Sequence, residues 1–257
     1  MAFEQIEGRN PVLEALEREA RTVRQVLIDE GATIDAKVQR IVDLAKARGA
    51  KLQRVPRQQL KALTKGRVHN GVVAMADPLP QFTVQSLIEH AFAQTDSPLL
   101  ILADEVVYEQ NLGAILRTAM GVGAQGLVIP NRRGVGLSPV VGRVSMGGIE
   151  EVPVVRAGIL SALKRIRKSG FRILGADMGG DAYWDADFTG PVAVVLGGES
   201  KGLSDPIRKR CDAVVSVPLL MGLESLNVSV TAGVLLFERV RQMGDSPVVK
   251  AEATLKK

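Results

Sequence analysis

Three short runs are apolar at every position, Leu99–Ala103, Gly126–Pro130 and Val192–Leu196, and helical spacing fills the intervals around them. A strand with one wet face alternates apolar and polar residues, so a run without polar positions must be covered on both faces. Further strand-like runs at 171–176 and 213–217 continue the alternation, with helices expected from Asn111, near 161–168, near 205–211 and over 227–241. The expected fold is α/β, a mostly parallel sheet with helices on both faces. The last helix is apolar almost all round (Val228, Val230, Val234, Leu235, Leu236, Phe237, Val240), which demands burial in its own domain or against a second subunit.

Upstream, Asp77-Pro78-Leu79-Pro80 stops any helix or central strand, because proline lacks an amide proton and restricts the residue before it. That stretch reads as a linker. Before it the pattern predicts helices over 10–18, over 35–48 and from Pro56, and strands over 25–28, 51–55 and 72–76. The expected organisation is a small N-terminal α/β domain over 1–77, a linker and leading helix over 78–97, a main domain over 98–243, and a frayed tail over 244–257.

Lys and Arg number 33 against 28 Asp and Glu, a net charge of +5, and the excess is uneven. Residues 46–67 hold eight basic residues and no acid. Such a cluster suits a polyanion, although a solvated helix face has the same composition. A single cysteine, Cys211, excludes an internal disulfide, and with only His69 and His90 beside it no zinc cluster can be assembled. Aromatic residues make up 4%, too few for a base-stacking platform of interleaved Phe and Tyr. No apolar run approaches membrane-spanning length and the N-terminus lacks the layout of a signal peptide, so a cytoplasmic protein without membrane contact is expected.

Gly121-Val-Gly-Ala-Gln-Gly126 spells the string of dinucleotide-binding folds, which works only between a strand and the helix that follows it. Here a helix precedes and a strand follows, so these glycines read as a helix end and a turn. Ligands of parallel α/β sheets collect outside the carboxyl ends of strands, and three loops there carry polar residues. The first leads to Asn111, able to cap a helix start, and to Arg117, six residues on among apolar neighbours. Burying that guanidinium requires an anion, either a structural acid or a ligand. The second, Leu196-Gly197-Gly198-Glu199-Ser200-Lys201-Gly202, admits close backbone approach and sets Glu199 between glycines. The third runs from Val217 and Leu219 to Ser225, Leu226 and Asn227, where Ser225 and Asn227 could each be caps.

Taken together, Asn111-Leu-Gly-Ala-Ile-Leu-Arg117-Thr-Ala, Leu196-Gly-Gly-Glu199-Ser-Lys-Gly-Leu and Ser225-Leu-Asn227-Val-Ser229-Val resemble, in order, the three motifs of the SpoU RNA ribose 2′-O-methyltransferases of the SPOUT class. Ile6-Glu-Gly-Arg-Asn-Pro-Val-Leu-Glu-Ala-Leu and Val68-His69-Asn70-Gly71-Val-Val-Ala resemble the substrate-binding domain of the branch that methylates a guanosine of 23S rRNA, a domain similar to certain ribosomal RNA-binding proteins. The resemblance implies a deep trefoil knot in the C-terminal domain, a homodimer packed through it, and an RNA substrate. It also implies S-adenosylmethionine as methyl donor, released as S-adenosylhomocysteine, with no metal. Main-chain groups around Leu196, Gly197, Gly198, Val217, Leu219 and Leu226 would hold the donor. Catalytic roles are implied for Asn111, Arg117, Glu199, Ser225 and Asn227, with Arg117 at the proton transfer and the others orienting. A free guanidinium is a poor base, so anchoring the substrate phosphate is the firmer role for Arg117. A tRNA target, or a non-catalytic RNA-binding or ribosome-assembly protein on the same fold, are the alternatives. Glu109-Gln110 stands where most members have Asp-Pro, and Met221 stands where the third-motif glycine is usual, with Gly222 following.

Overall fold

The computed structural model describes residues 3–132, 134–198 and 202–244. The chain divides into two compact units, one formed by the chain up to Gln81 together with Leu137–Glu151, the other by Phe82–Gly136 and the chain from Val152 onward.

In the first unit, β1 (Glu4–Glu7), α1 (Arg9–Arg18), β2 (Val23–Asp29), α2 (Ala36–Ala47), β3 (Lys51–Val55), α3 (Arg57–Leu63) and β4 (Val72–Ala76) follow one another. The sheet order is β1-β4-β2-β3, with β4 antiparallel to both neighbours and β3 parallel to β2. Helical spacing dictates the packing. Val12, Ala15 and Leu16 of α1, and Val38, Ile41 and Ala45 of α2, share one face each. They bury against Ile6, Val26, Ile28, Val72 and Ala74. Strand β1 has too weak a pattern to announce itself; it forms by pairing from Glu4↔Ala76 to Glu7↔Val73. Glu7, fully buried there, accepts an ion pair from Arg67 at 2.6 Å.

The second unit begins with α4 (Val84–Gln94), β5 (Leu99–Ala103), α5 (Glu109–Gly121) and β6 (Gly126–Pro130). The chain then supplies α6 (Pro139–Val144) and α7 (Gly148–Glu151) to the first unit. Back in the second unit follow β7 (Val154–Ala157), α8 (Ile159–Lys168), β8 (Arg172–Ala182), β9 (Val192–Leu196), α9 (Asp205–Arg208), β10 (Ala213–Ser216) and α10 (Val228–Met243). All pairings in its sheet are parallel, in the order β10-β8-β9-β5-β6-β7. The two most apolar runs, β5 and β9, lie side by side at the centre with every residue buried. Leu100, Leu102, Ala193 and Val195 share a core with α4 and α8. The intervening positions Leu99, Ile101 and Val194 point to the opposite face and are equally buried.

One local expectation needs correction. The run expected over 171–176 continues to Ala182, because the register of β8 against β10 jumps from Gly175↔Val214 to Asp181↔Val215 and leaves the residues between bulged out of that pairing. The last helix, expected to bury in its own domain or against a second subunit, is enclosed within its own domain on one side. Val228, Ala232, Leu235 and Leu236 are enclosed, while Val230 and Phe237 are 50% and 54% exposed. The Gly121–Gly126 string does end a helix: Gly123 adopts φ +66° and the Ala124 amide returns to the Ala119 carbonyl at 2.9 Å. Among the described residues no helix is long and apolar enough to cross a membrane.

Candidate active site

A cavity of about 450 Å³ opens where β8, β9 and β10 end, walled by three segments of the second unit. The first wall is the glycine loop after β9. The Gly198 amide donates to the Gly202 carbonyl at 3.1 Å and the Gly202 amide returns to the Gly198 carbonyl at 2.9 Å. This narrow closure is why glycines stand here. A Cβ on Gly197 would lie 2.4 Å from the Gly202 carbonyl carbon, and Gly202 itself takes φ +61°.

The second wall is the bulge of β8, contributing Ala176, Asp177 and Met178. Asp177 ties the two walls together, accepting from the Leu203 amide at 3.1 Å and pairing with Arg208 at 3.2 Å. The third wall runs from Val215 at the end of β10 to Thr231 in α10. Within it Met221 adopts φ +58° and Gly222 φ +74°, which gives a physical reason for glycine being usual at position 221. Met221 tolerates the left-handed backbone on a fully exposed side chain.

All six residues expected to hold the donor, Leu196, Gly197, Gly198, Val217, Leu219 and Leu226, line this cavity, and Ser225 lines it too. Asn227 sits between two lining residues and caps α10, its Oδ1 accepting from the Ser229 amide at 2.8 Å. Its Nδ2 donates to Asn111 Oδ1 at 3.0 Å, so the first and third motifs meet directly. Asn111 is not a cap, as its place in sequence suggested. Tyr108 holds that position, and Asn111 is the buried third residue of α5. Arg117 is exposed rather than buried, so it carries no desolvation cost; it does not line the cavity and has no ion pair or hydrogen bond among the described residues. Glu199 lies outside the described residues. Sequence reasoning missed Asp177, although a carboxylate directly after the apolar run at 171–176 was the available signal; β8 runs on through it to Ala182.

The cavity mouth offers main-chain amides and carbonyls, two carboxylates (Asp177, Glu224) and the Ser225 hydroxyl beside apolar walls. Beside the glycine loop, burial with Glu105 as neighbour pushes the Asp104 carboxyl up. No group of three or more His, Cys, Asp or Glu among the described residues could hold a metal ion.

The SpoU rRNA Methylase family model matches residues 98–237, and the model for RNA 2′-O ribose methyltransferase substrate binding matches residues 5–82. An uncharacterized tRNA/rRNA methyltransferase of Mycolicibacterium smegmatis is 39% identical, covering 91% of this chain and 75% of its own. One from Mycobacterium leprae is 39% identical over 93% of this chain and 77% of its own. Among solved structures, the SpoU methyltransferase AviRb from Streptomyces viridochromogenes, in complex with AdoMet, superposes with a TM-score of 0.80 at 26% identity, covering 95% of this chain and 91% of that one. An AdoMet-bound rRNA methyltransferase from Sinorhizobium meliloti shares the fold at a TM-score of 0.78 and 22% identity, over 94% of this chain and 88% of its own. With the second and third motif segments walling one cavity, the first bonded to the third through Asn111, and a family match over more than half its length, the chain belongs to the SpoU rRNA methylase family.

Proposed function

We propose that this SpoU-family RNA methyltransferase acts on the ribose 2′-oxygen of a guanosine in 23S rRNA, with S-adenosylmethionine as donor. The observation that carries the reading is the hydrogen bond to Asn111 from Asn227, which sits between two residues that line the glycine-walled cavity. Residues far apart in sequence thereby share one site, and the crowding at Gly197 leaves main-chain groups as the main grip on a ligand.

The residues present fit the donor. Main-chain groups at Leu196, Gly197, Gly198, Val217, Leu219 and Leu226 would hold it, and when bound it supplies an activated methyl group on a sulfonium. The chain then needs chiefly to align the nucleophile and take up its proton. Asn111 and Asn227, each fixed by the other, orient the ribose, and orienting roles fall to Ser225 at the cavity wall and to Glu199. Arg117 anchors the substrate phosphate through its guanidinium fork and directs the 2′-hydroxyl proton toward that anion.

A homodimer, knotted at the domain that packs, belongs to the same proposal. Its support is apolar exposure around the site: Leu220, Met221, Leu223, Val230 and Phe237, with Val107 and Tyr108 just before α5. The basic stretch 46–67 would add phosphate contacts. The test is to incubate the purified protein with methyl-labelled donor and either 23S rRNA or total tRNA, then map ribose methylation. A single guanosine mark in 23S rRNA is expected; labelling confined to tRNA, or none in either RNA, overturns the reading.

A further inference from the structure

The first unit holds a second cavity, about 630 Å³, whose lining shares only Arg57 with the basic stretch 46–67. Three turns meet there: Gly8–Pro11 entering α1, Asp29–Lys37 between β2 and α2, and Asn70-Gly71 before β4. Four cationic side chains from four different helices line it, Arg9 of α1, Lys37 of α2, Arg57 of α3 and Arg143 of α6.

The two acids in the lining are committed to the scaffold. Asp35 caps α2, accepting from the Val38 amide at 2.9 Å, and pairs with Arg9 at 2.6 Å. Asp29, almost wholly buried, accepts from the Gly31 amide at 3.0 Å and lies 3.6 Å from Arg57. The cations are steered by neutral acceptors. Arg9 Nε donates to the Asn70 carbonyl at 2.8 Å, Lys37 to Asn10 Oδ1 at 2.6 Å, and Arg143 to the Val68 carbonyl at 3.1 Å. Lys37 and Arg143 are oriented by neutral acceptors alone, and four cations against two acids leave the cavity a net positive lining.

The walls are built to stay open. Gly8 takes φ +106° and Gly71 φ +79°, and a Cβ on Gly71 would meet the Ala32 Cβ at 3.3 Å. Buried His69 accepts from the Gly71 amide through Nδ1 at 3.2 Å, and burial with Arg57 nearby holds its pKa below the ordinary value, keeping that acceptor unprotonated. The α1 N-terminus, with Gly8 as its cap residue and no side-chain capping bond, also faces this space, and its dipole favours an anion.

We propose that this cavity is the RNA-docking site of the first unit, taking one looped-out nucleotide with its phosphate against Lys37 and Arg143 and its base edge toward the amides of Asn10 and Asn70. The volume suits one nucleotide, and the lining contains no aromatic ring, so recognition is by hydrogen bonds and charge rather than stacking. Arg143 makes residues 137–151 part of the RNA site, although they lie inside the methylase match. The inference rests on reading residues 5–82 as an RNA-binding domain.

The test uses full-length protein and a fluorescein-labelled RNA hairpin with a wide single-stranded loop, read by anisotropy over a salt series. Lys37→Gln with Arg143→Gln is compared with Lys164→Gln with Lys168→Gln on α8, an equal charge change elsewhere. The first pair should weaken binding at least about tenfold and flatten the log–log salt slope by roughly 1.4, as loss of two single-strand phosphate contacts requires. The α8 pair should change affinity less than about threefold, and Lys37→Arg with Arg143→Lys should stay near wild type. Equal losses in both neutralised pairs, no loss in the first, or no binding by wild type would each overturn the proposal. S-adenosylhomocysteine titrated calorimetrically into the same proteins separates the two readings: failure of wild type to bind it counts against methyl transfer, while the cavity is judged on RNA affinity alone.

Discussion

Asn227 and Asn111 are joined by a 3.0 Å bond between side-chain amides, while the acceptor oxygen of Asn227 is occupied by Ser229, through its amide at 2.8 Å and its hydroxyl at 2.6 Å. One side chain thus caps a helix and fixes a neighbour 116 residues away. The two tasks use different atoms, so they can be separated by substitution. Asn227→Asp keeps the capping oxygen and loses the donor. It should leave the melting temperature within about 2 °C while lowering methyl transfer at least about tenfold. Asn227→Ala removes both and should also cost about 1 kcal/mol of stability. Thermal unfolding and a methyl-transfer assay on both variants check this, and an active Asn227→Asp enzyme would refute it.

Asp177 holds the glycine loop through Leu203 and the end of α9 through Arg208. Asp177→Ala leaves the Leu203 amide without its acceptor, a loss of about 1 kcal/mol for a largely enclosed bond. Because that loop walls the cavity, S-adenosylhomocysteine affinity should fall by roughly fivefold to tenfold, with Asp177→Asn retaining part of it. Calorimetric titration reads the change; equal affinity in all three proteins removes Asp177 from the site.

The doubly apolar runs β5, β6 and β9 were legible in sequence to the residue, because burial on both faces leaves no polar position to blur their ends. The donor-binding loops were legible for a related reason, since glycines crowded at a strand end have few purely structural uses. What escaped is non-local. Strand β1 exists only through β4, and the bulge of β8 exists only because β10 changes register beside it. Residues 137–151 belong with the first unit through contacts that no local pattern encodes, among them the buried pair Arg21 and Glu150. Arg117 was misjudged because its neighbours in sequence are apolar while its own position faces out, about 120° around α5 from Asn111.

Burial, with Asp212 alongside, pushes the Cys211 thiol up to about 11. Its sulfur donates to the Ile207 carbonyl at 3.5 Å, which also favours the protonated form. At pH 8 only about 0.1% is thiolate, so iodoacetamide should label native protein far more slowly than urea-unfolded protein. The native rate should climb about tenfold per pH unit between pH 8 and 10. Mass spectrometry of quenched time points measures both rates. Labelling of native Cys211 at the unfolded rate would contradict the raised pKa of this half-buried thiol.

Arg117 provides the sharpest test of how the site is completed. It is exposed on α5, outside the cavity lined by its own chain, and makes no ion pair among the described residues. We propose that in the dimer it serves the cavity of the other subunit. Arg117→Lys should then lower turnover at least about 100-fold without altering S-adenosylhomocysteine affinity, because lysine lacks the planar fork that aligns a phosphate. Mixing two inactive proteins distinguishes the subunits. In a heterodimer of Arg117→Ala with Asn227→Ala, a site that borrows its arginine across the interface is restored once. The site built from the intact Asn227 of one chain and the intact Arg117 of the other is then complete. Random exchange should recover about a quarter of wild-type activity. If each cavity instead uses its own arginine, every site in the mixture carries one lesion and activity stays at background. That result would place Arg117 with its own cavity and require α5 to move on substrate binding.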